Sequence, residues 1–123
     1  MYYTSYFANI RKLDKEKYRF VSITASKPSF CGDDIEDWSF LGPSLKLLKA
    51  YKNGEIDENR YTEIYLKYLK ENYKNFKDFL ILNEQQNVCM LCYEKPSDFC
   101  HRHILRGFLN ENGIECEEII NVI

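Results

Sequence analysis

The distribution of apolar and polar residues along the chain marks out strands at its two ends and helices between them. Tyr2 to Phe7 is rich in β-formers interrupted by Thr4 and Ser5, and reads as a first strand. Ala8 to Leu13 suits a short helical turn before the charged run Asp14 to Lys17. Arg19 to Thr24 reads as a second strand. From Ala25 to Trp38 the pattern lapses: Pro28, Gly32 and the acidic residues Asp33, Asp34, Glu36 and Asp37 predict a loop, long for a small domain. Gly42-Pro43-Ser44 opens a helix carrying Leu45, Leu47, Leu48 and Tyr51, and Asn53-Gly54 stops it. Asp57 is placed to cap the next helix. Its residues Tyr61, Ile64, Tyr65, Tyr68 and Leu69 recur at helical spacing, and Phe76, Phe79, Leu80 and Leu82 extend or restart it.

The last third changes character. Val88 to Cys92 is apolar at every position, as in a strand covered on both faces of a parallel sheet. Pro96-Ser97-Asp98 predicts a helix start, with Ser97 or Asp98 as the cap, and that helix runs to about Asn110. Gly113 follows, and Ile114 to Ile120 reads as a last strand. Strand, helix and strand at this spacing form a βαβ unit. The expected fold is a single α/β domain over residues 1–123, a small sandwich with a mainly parallel, Rossmann-like sheet flanked by helices. The strand order is open.

Lys and Arg total 17 against 19 acidic residues, so no net positive field favours nucleic acid as a partner. The eight basic residues from Lys46 to Lys77 fall mostly at helical spacing and read as solvated faces. The Tyr stripe between them reads as core rather than a base-stacking surface. No apolar run approaches the ~20 residues of a membrane helix. No secretory signal is visible, and the five cysteines fit a reduced cytoplasmic protein in which Cys89 and Cys116 are small core hydrophobes.

Candidate chemistry gathers where the last helix begins. Cys100, His101 and Arg102 occupy its first turn, where backbone N–H groups and the helix dipole favour negative charge. There a thiol can ionise easily, an imidazole can move a proton and a guanidinium can clamp a phosphate or carboxylate. Cys92 and Glu94 close the preceding strand, at the carboxyl edge where open α/β sheets bind ligands. The plain alternative is a capped surface helix, with Arg102 paired to Glu94 or Asp98 and Cys100 packed inward. Cys92, Cys100, His101 and His103 offer two sulfur and two nitrogen donors. Their spacing lacks a C-x₂-C pair, and His101 and His103 diverge on a helix, so no metal ligand and no cofactor is assigned. Cys100-x₅-Arg106 matches the spacing of a cysteine phosphatase loop, but the intervening residues are helical rather than glycine-rich.

The segment from Leu91 to His103 resembles the signature of a bacterial and phage family, the domain-of-unknown-function family numbered 488: a strand ending L-C-x-E, a Pro-containing turn, then C-H-R opening a helix. Tyr3 to Leu13, Ser22-Ile23 with Pro28 downstream, and Phe40-Leu41-Gly42-Pro43-Ser44 are similar to one of its branches. The resemblance implies a small α/β domain with a site built around Cys92, Glu94, Cys100, His101 and Arg102. The branch often carries an Arg soon after the second strand; here Thr24-Ala25-Ser26-Lys27 leaves that contact to Lys27.

The leading expectation is an enzyme or ligand-binding domain for a small anionic molecule, such as a nucleotide or nucleic-acid component. In it Cys100, His101 and Glu94 are catalytic, and Arg102, Cys92, Ser5, Thr4 and Lys27 hold the substrate. A second expectation is a non-catalytic module that binds protein or nucleic acid through the Tyr- and Lys-rich helices and the acidic loop around Trp38. A third is a thiol redox or sulfur-handling protein, which requires a reversible disulfide between Cys92 and Cys100.

Overall fold

The computed structural model describes residues 1–25, 34–94 and 98–120. They form five strands, β1 (Tyr2–Tyr6), β2 (Arg19–Ser22), β3 (Glu36–Asp37), β4 (Val88–Cys92) and β5 (Cys116–Glu118). Three α-helices accompany them, α1 (Leu45–Lys52), α2 (Glu58–Asn83) and α3 (His101–Glu111), with 3₁₀ turns at Phe7–Lys12 and Ser39–Leu41. The sheet order is β3-β2-β4-β1-β5 and every pairing is parallel. The expected parallel α/β architecture is therefore present, and the order left open is settled with β4 at the centre.

That position explains the unbroken apolar run. Val88, Met90 and Cys92 face a large core with Tyr2, Val21 and residues of all three α-helices. Cys89 and Leu91 point the other way, into a smaller cluster with Phe7 and Phe20. The tyrosines of α2 are core residues as expected: Tyr61, Tyr65 and Leu69 are buried at helical spacing. Tyr65 donates from its hydroxyl to the Leu41 carbonyl, and Tyr2 to that of Leu80. These bonds satisfy the polar tips of large buried rings.

The helix boundaries follow local chemistry. Ser44 accepts from the Leu47 N–H at 3.1 Å and caps α1, and Asp57 accepts from Arg60 at 2.8 Å and caps α2. The helix from Asp57 continues without interruption to Asn83. At the end of α3, Gly113 takes φ 81°, and the bonds from Ile114 to Leu109 and from Gly113 to Asn110 close a Schellman turn into β5.

Two expectations are corrected. The segment expected as one loop contains the short edge strand β3, which pairs Glu36 and Asp37 with Val21 and Ser22. Helix α3 starts later than Pro96-Ser97-Asp98: Cys100, in extended backbone, is its N-cap, and Asp98 is exposed ahead of it. Phe99 stacks against Tyr51 and Tyr61 at 5.2 and 5.3 Å, which fastens the approach to the helix before its first turn. Ser97 and Lys27 lie outside the described residues.

Candidate functional site

The carboxyl ends of β2 and β4 lie side by side, since Ser22 pairs with Leu91. Beyond them the chain continues through Ile23, Thr24 and Ala25 on one side and Tyr93 and Glu94 on the other. A cavity of about 280 Å³ opens here, lined by Thr24, Ala25, Tyr93, Glu94 and His101, and by Leu45, Leu48, Lys49 and Lys52 of α1. A smaller adjoining space of about 40 Å³ reaches Cys100 and shares Leu48, Lys52, Glu94 and His101. The expected carboxyl-edge location thus holds a cavity, roofed by α1 and closed at one end by the start of α3.

Cys100 borders the smaller space, and Cys92 lies behind it. They are joined as a disulfide with Cα atoms 7.7 Å apart. Both are buried, Cys100 to 3% exposure. Among the described residues, Cys89 and Cys116 are free and buried. Burial pushes the Cys116 thiol up to about 12 and that of Cys89 higher still, so both are inert core groups.

His101 is nine-tenths buried or more, with its ring edge-on to Tyr65. Its Nε2 lies 3.0 Å from the carbonyl oxygen of Ile23. A carbonyl only accepts, so Nε2 carries the proton and Nδ1 keeps a lone pair. Burial lowers the imidazole to about 4, so the ring is neutral near pH 7. Gly42 makes this contact possible: a Cβ there would stand 2.1 Å from the same Ile23 oxygen.

Arg102 has no exposed surface. Its Nη2 pairs with Glu118 at 2.9 Å, and Nε donates to the same carboxylate at 3.1 and 3.2 Å. Nη1 donates to the Cys92 sulfur at 2.9 Å and to the Glu94 carbonyl at 2.6 Å. The ion-pair partner is thus Glu118 on β5, in place of the expected Glu94 or Asp98 side chain. Nor does the guanidinium line the cavity, as an anion clamp would. It ties α3 to the sheet and presents an N–H to the Cys92 sulfur.

Thr4 and Ser5 also sit away from the cavity. Thr4 donates to Glu118 at 2.5 Å, and Ser5 accepts from Asn9 at 3.0 Å. The structure therefore brings together Cys92, Cys100, His101 and Glu94 from the expected set. Thr4 and Arg102 join them only through Glu118. The sequence does not single out Glu118, one acid among several near the end of the chain. Lys49 and Lys52 are exposed, as their helical spacing predicts, and they also border the cavity. Their spacing of three residues puts them on one side of α1, but only the packing of that helix across the sheet edge shows that this side borders a cavity.

The donor set with poor metal-binding spacing also converges in part. Ligand atoms of Cys92, Cys100 and His101 lie within 4.8 Å of one another. Cys92 and Cys100, eight residues apart, are in contact. His103 points elsewhere, its Nδ1 3.5 Å from Arg106.

No helix among the described residues is long and apolar enough to cross a membrane. No curated protein and no solved structure matches the chain. The model of the family DUF488-N3a, described as the active DUF488-N3 subclade, matches residues 13–113, over the sheet edge, the roofing helix and the Cys-His-Arg turn, and the chain belongs to that family.

Proposed function

We propose that the chain binds a small anionic molecule in the cavity above β2 and β4 and acts on it through the Cys92–Cys100 pair. The observation that carries this reading is the convergence of Cys100, His101, Glu94 and Lys52 on adjoining spaces beside Lys49. A cavity of about 280 Å³ is just below the usual range for ligand pockets, ~300–1,000 Å³. It fits a metabolite or one nucleotide moiety, not a folded polymer. Lys49 and Lys52 supply positive charge, while Leu45, Leu48 and Tyr93 supply apolar wall.

Opening the disulfide takes two electrons and two protons, delivered by a thiol reductant. It yields Cys100 at the cavity, on the N-terminus of α3, and Cys92 behind it against Arg102. Cys100 is then the attacking thiolate, favoured by the helix dipole. Glu94 lines the cavity as the proton-handling group. His101 is neutral and fixed by Ile23, so it offers a lone pair rather than a positive charge. The description of the matched family as an active subclade supports a working site over an inert scaffold.

The test is a thermal-shift screen of nucleotides, phosphosugars and small carboxylates on the reduced chain, beside a Lys49→Ala/Lys52→Ala variant. A ligand at about 100 times its Kd stabilises by ~2.7 kcal/mol, a rise of several degrees. The expected result is a hit that disappears in the double variant while its ligand-free Tm is unchanged. Cys100→Ser should retain binding and lose turnover. A library without hits, or a hit indifferent to both lysines, overturns the reading.

A further inference from the structure

We infer that the reduced chain binds one thiophilic divalent cation, with Cys92, Cys100 and His101 as its three protein ligands and the fourth coordination position turned toward the cavity. This uses the same reduced cysteine pair as the proposed function, but it does not depend on the anionic substrate.

Three observations converge on it. The first is the donor set: two sulfurs and an imidazole nitrogen, all buried, within 4.8 Å of one another. Two thiolates and one imidazole with a fourth site open is a recognised catalytic arrangement for zinc. Tetrahedral zinc with Zn–S bonds near 2.3 Å holds its sulfurs about 3.8 Å apart. Breaking the disulfide lets the sulfurs separate to that distance, and the Cα atoms at 7.7 Å need not approach each other.

The second observation is the set of groups around the donors. Metal-bound histidines usually give their other ring N–H to a carbonyl or carboxylate, which fixes the tautomer. His101 does so already: Nε2 is spent on Ile23, and Nδ1 retains its lone pair without a proton to displace. Arg102 donates Nη1 to the Cys92 sulfur, as outer-sphere donors do for a ligating thiolate.

The third observation is charge. A dication with two thiolates is neutral, and the adjacent Arg102 is neutralised by Glu118. The loaded site therefore leaves no uncompensated charge in a buried place. Binding releases two protons, one from each thiol, and the ion enters as the dication, so no electrons move. The disulfide form has no thiolate to offer. Metal uptake is consequently confined to the reduced state, and cation and disulfide exclude one another. The missing fourth protein ligand separates this site from closed structural zinc sites and leaves a position for water or for the ligand of the neighbouring cavity.

The experiment uses the whole chain, reduced with a phosphine and desalted, and titrated with Zn²⁺ against a chromophoric chelator. Co²⁺ serves as the spectroscopic probe. The expected results are one zinc per chain, an intense visible Co²⁺ spectrum of a tetrahedral site with sulfur-to-cobalt charge transfer, and no uptake by the oxidised chain. Cys100→Ser and His101→Ala should each weaken zinc binding by at least about 100-fold, beyond the effect of outer-sphere changes. Cys89→Ser should leave it intact. Circular dichroism verifies that each variant is folded; if one is not, the Co²⁺ spectrum of the wild type decides. Absence of zinc from the reduced wild type overturns the inference, as does an octahedral Co²⁺ spectrum or tight binding that survives both ligand variants. An anion-dependent thermal shift in a reduced chain that takes up no zinc would leave the proposed function standing while this inference fell.

Discussion

Replacing Glu118 with Ala should be among the most damaging single changes near the site, although Glu118 is at the end of an edge strand. Its carboxylate accepts from Nε and Nη2 of Arg102 and from the Thr4 hydroxyl, all within 3.2 Å. The Arg102 side chain is 0% exposed and that of Glu118 7%. Without the carboxylate, Arg102 retains the Cys92 sulfur and the Glu94 carbonyl, and its charge stays buried without a counter-ion. Breaking a buried pair in this way costs about 3–5 kcal/mol. Because the edge strand can yield and admit water, the lower end of that range is the expectation here.

A domain of this length has on the order of 6–18 kcal/mol in total, taking ~0.05–0.15 kcal/mol per residue. The loss is therefore a large fraction of the whole, roughly 10 °C or more in Tm. Urea unfolding of the reduced protein at pH 7 measures it. Glu118→Gln keeps an acceptor for Thr4 and gives up the charge, so a loss of about 1.5–3 kcal/mol is expected. The pair Arg102→Met/Glu118→Leu removes both charges together and should recover most of what Glu118→Ala loses, since apolar replacement of a buried ion pair is often neutral or better. A loss below about 1 kcal/mol in Glu118→Ala, or a double variant no more stable than the single one, would refute the picture of a desolvated ion pair.

Other predictions concern the neighbouring contacts. His101 goes from about 6.5 unfolded to about 4 folded, so the unfolded chain binds the extra proton first and stability falls as pH drops from 6.5 toward 4; the loss by pH 5 is about 2 kcal/mol, and His101→Gln should flatten that slope in urea midpoints. Gly42→Ala forces its Cβ against the Ile23 oxygen and should cost about 1–3 kcal/mol while shifting the His101 ring resonances in NMR. Tyr65→Phe strands the buried Leu41 carbonyl at a cost of about 1–3 kcal/mol, readable as a Tm drop. After reduction, peptide mapping of iodoacetamide adducts near pH 7 should find Cys100 labelled and Cys89 and Cys116 unlabelled.

The parallel sheet was legible because Val88 to Cys92 offers no polar face, and a strand of that kind needs cover on both sides. The helices were legible from Ser44, Asp57 and the tyrosine spacing. Strand β3 was not: two acidic residues carry no periodicity, and they count as a strand only through pairing with Val21 and Ser22. The partner of Arg102 was hidden for a related reason. Glu118 is sixteen residues downstream, and it comes within reach because β5 pairs with β1 and β1 with β4. Hydrophobic pattern reports which face of a strand is buried, but it carries no information about strand order. The Cys92–Cys100 pairing, by contrast, was legible as one of three readings, because the end of one strand and the start of the following helix share the carboxyl edge of the sheet.

Stability alone does not account for the composition of this corner of the fold. Arg102, Glu118, Thr4, His101, Cys92 and Cys100 are packed where an apolar set of similar volume would stabilise the domain as well or better. Each is held in turn by the ends of different strands: Thr4 on β1, the Ile23 carbonyl after β2, Cys92 on β4 and Glu118 on β5. A desolvated arginine and an imidazole kept neutral by burial both weaken the fold, the second increasingly so in acid. What they supply is a fixed frame, in which one sulfur has an N–H donor, the other lies at a helix start beside a cavity, and an uncharged ring has its proton fixed on the far nitrogen. Such placement serves the proposed chemistry of thiols or a cation and is superfluous for packing. That is the physical reason to seek the chemistry of this protein at the carboxyl edge of β4.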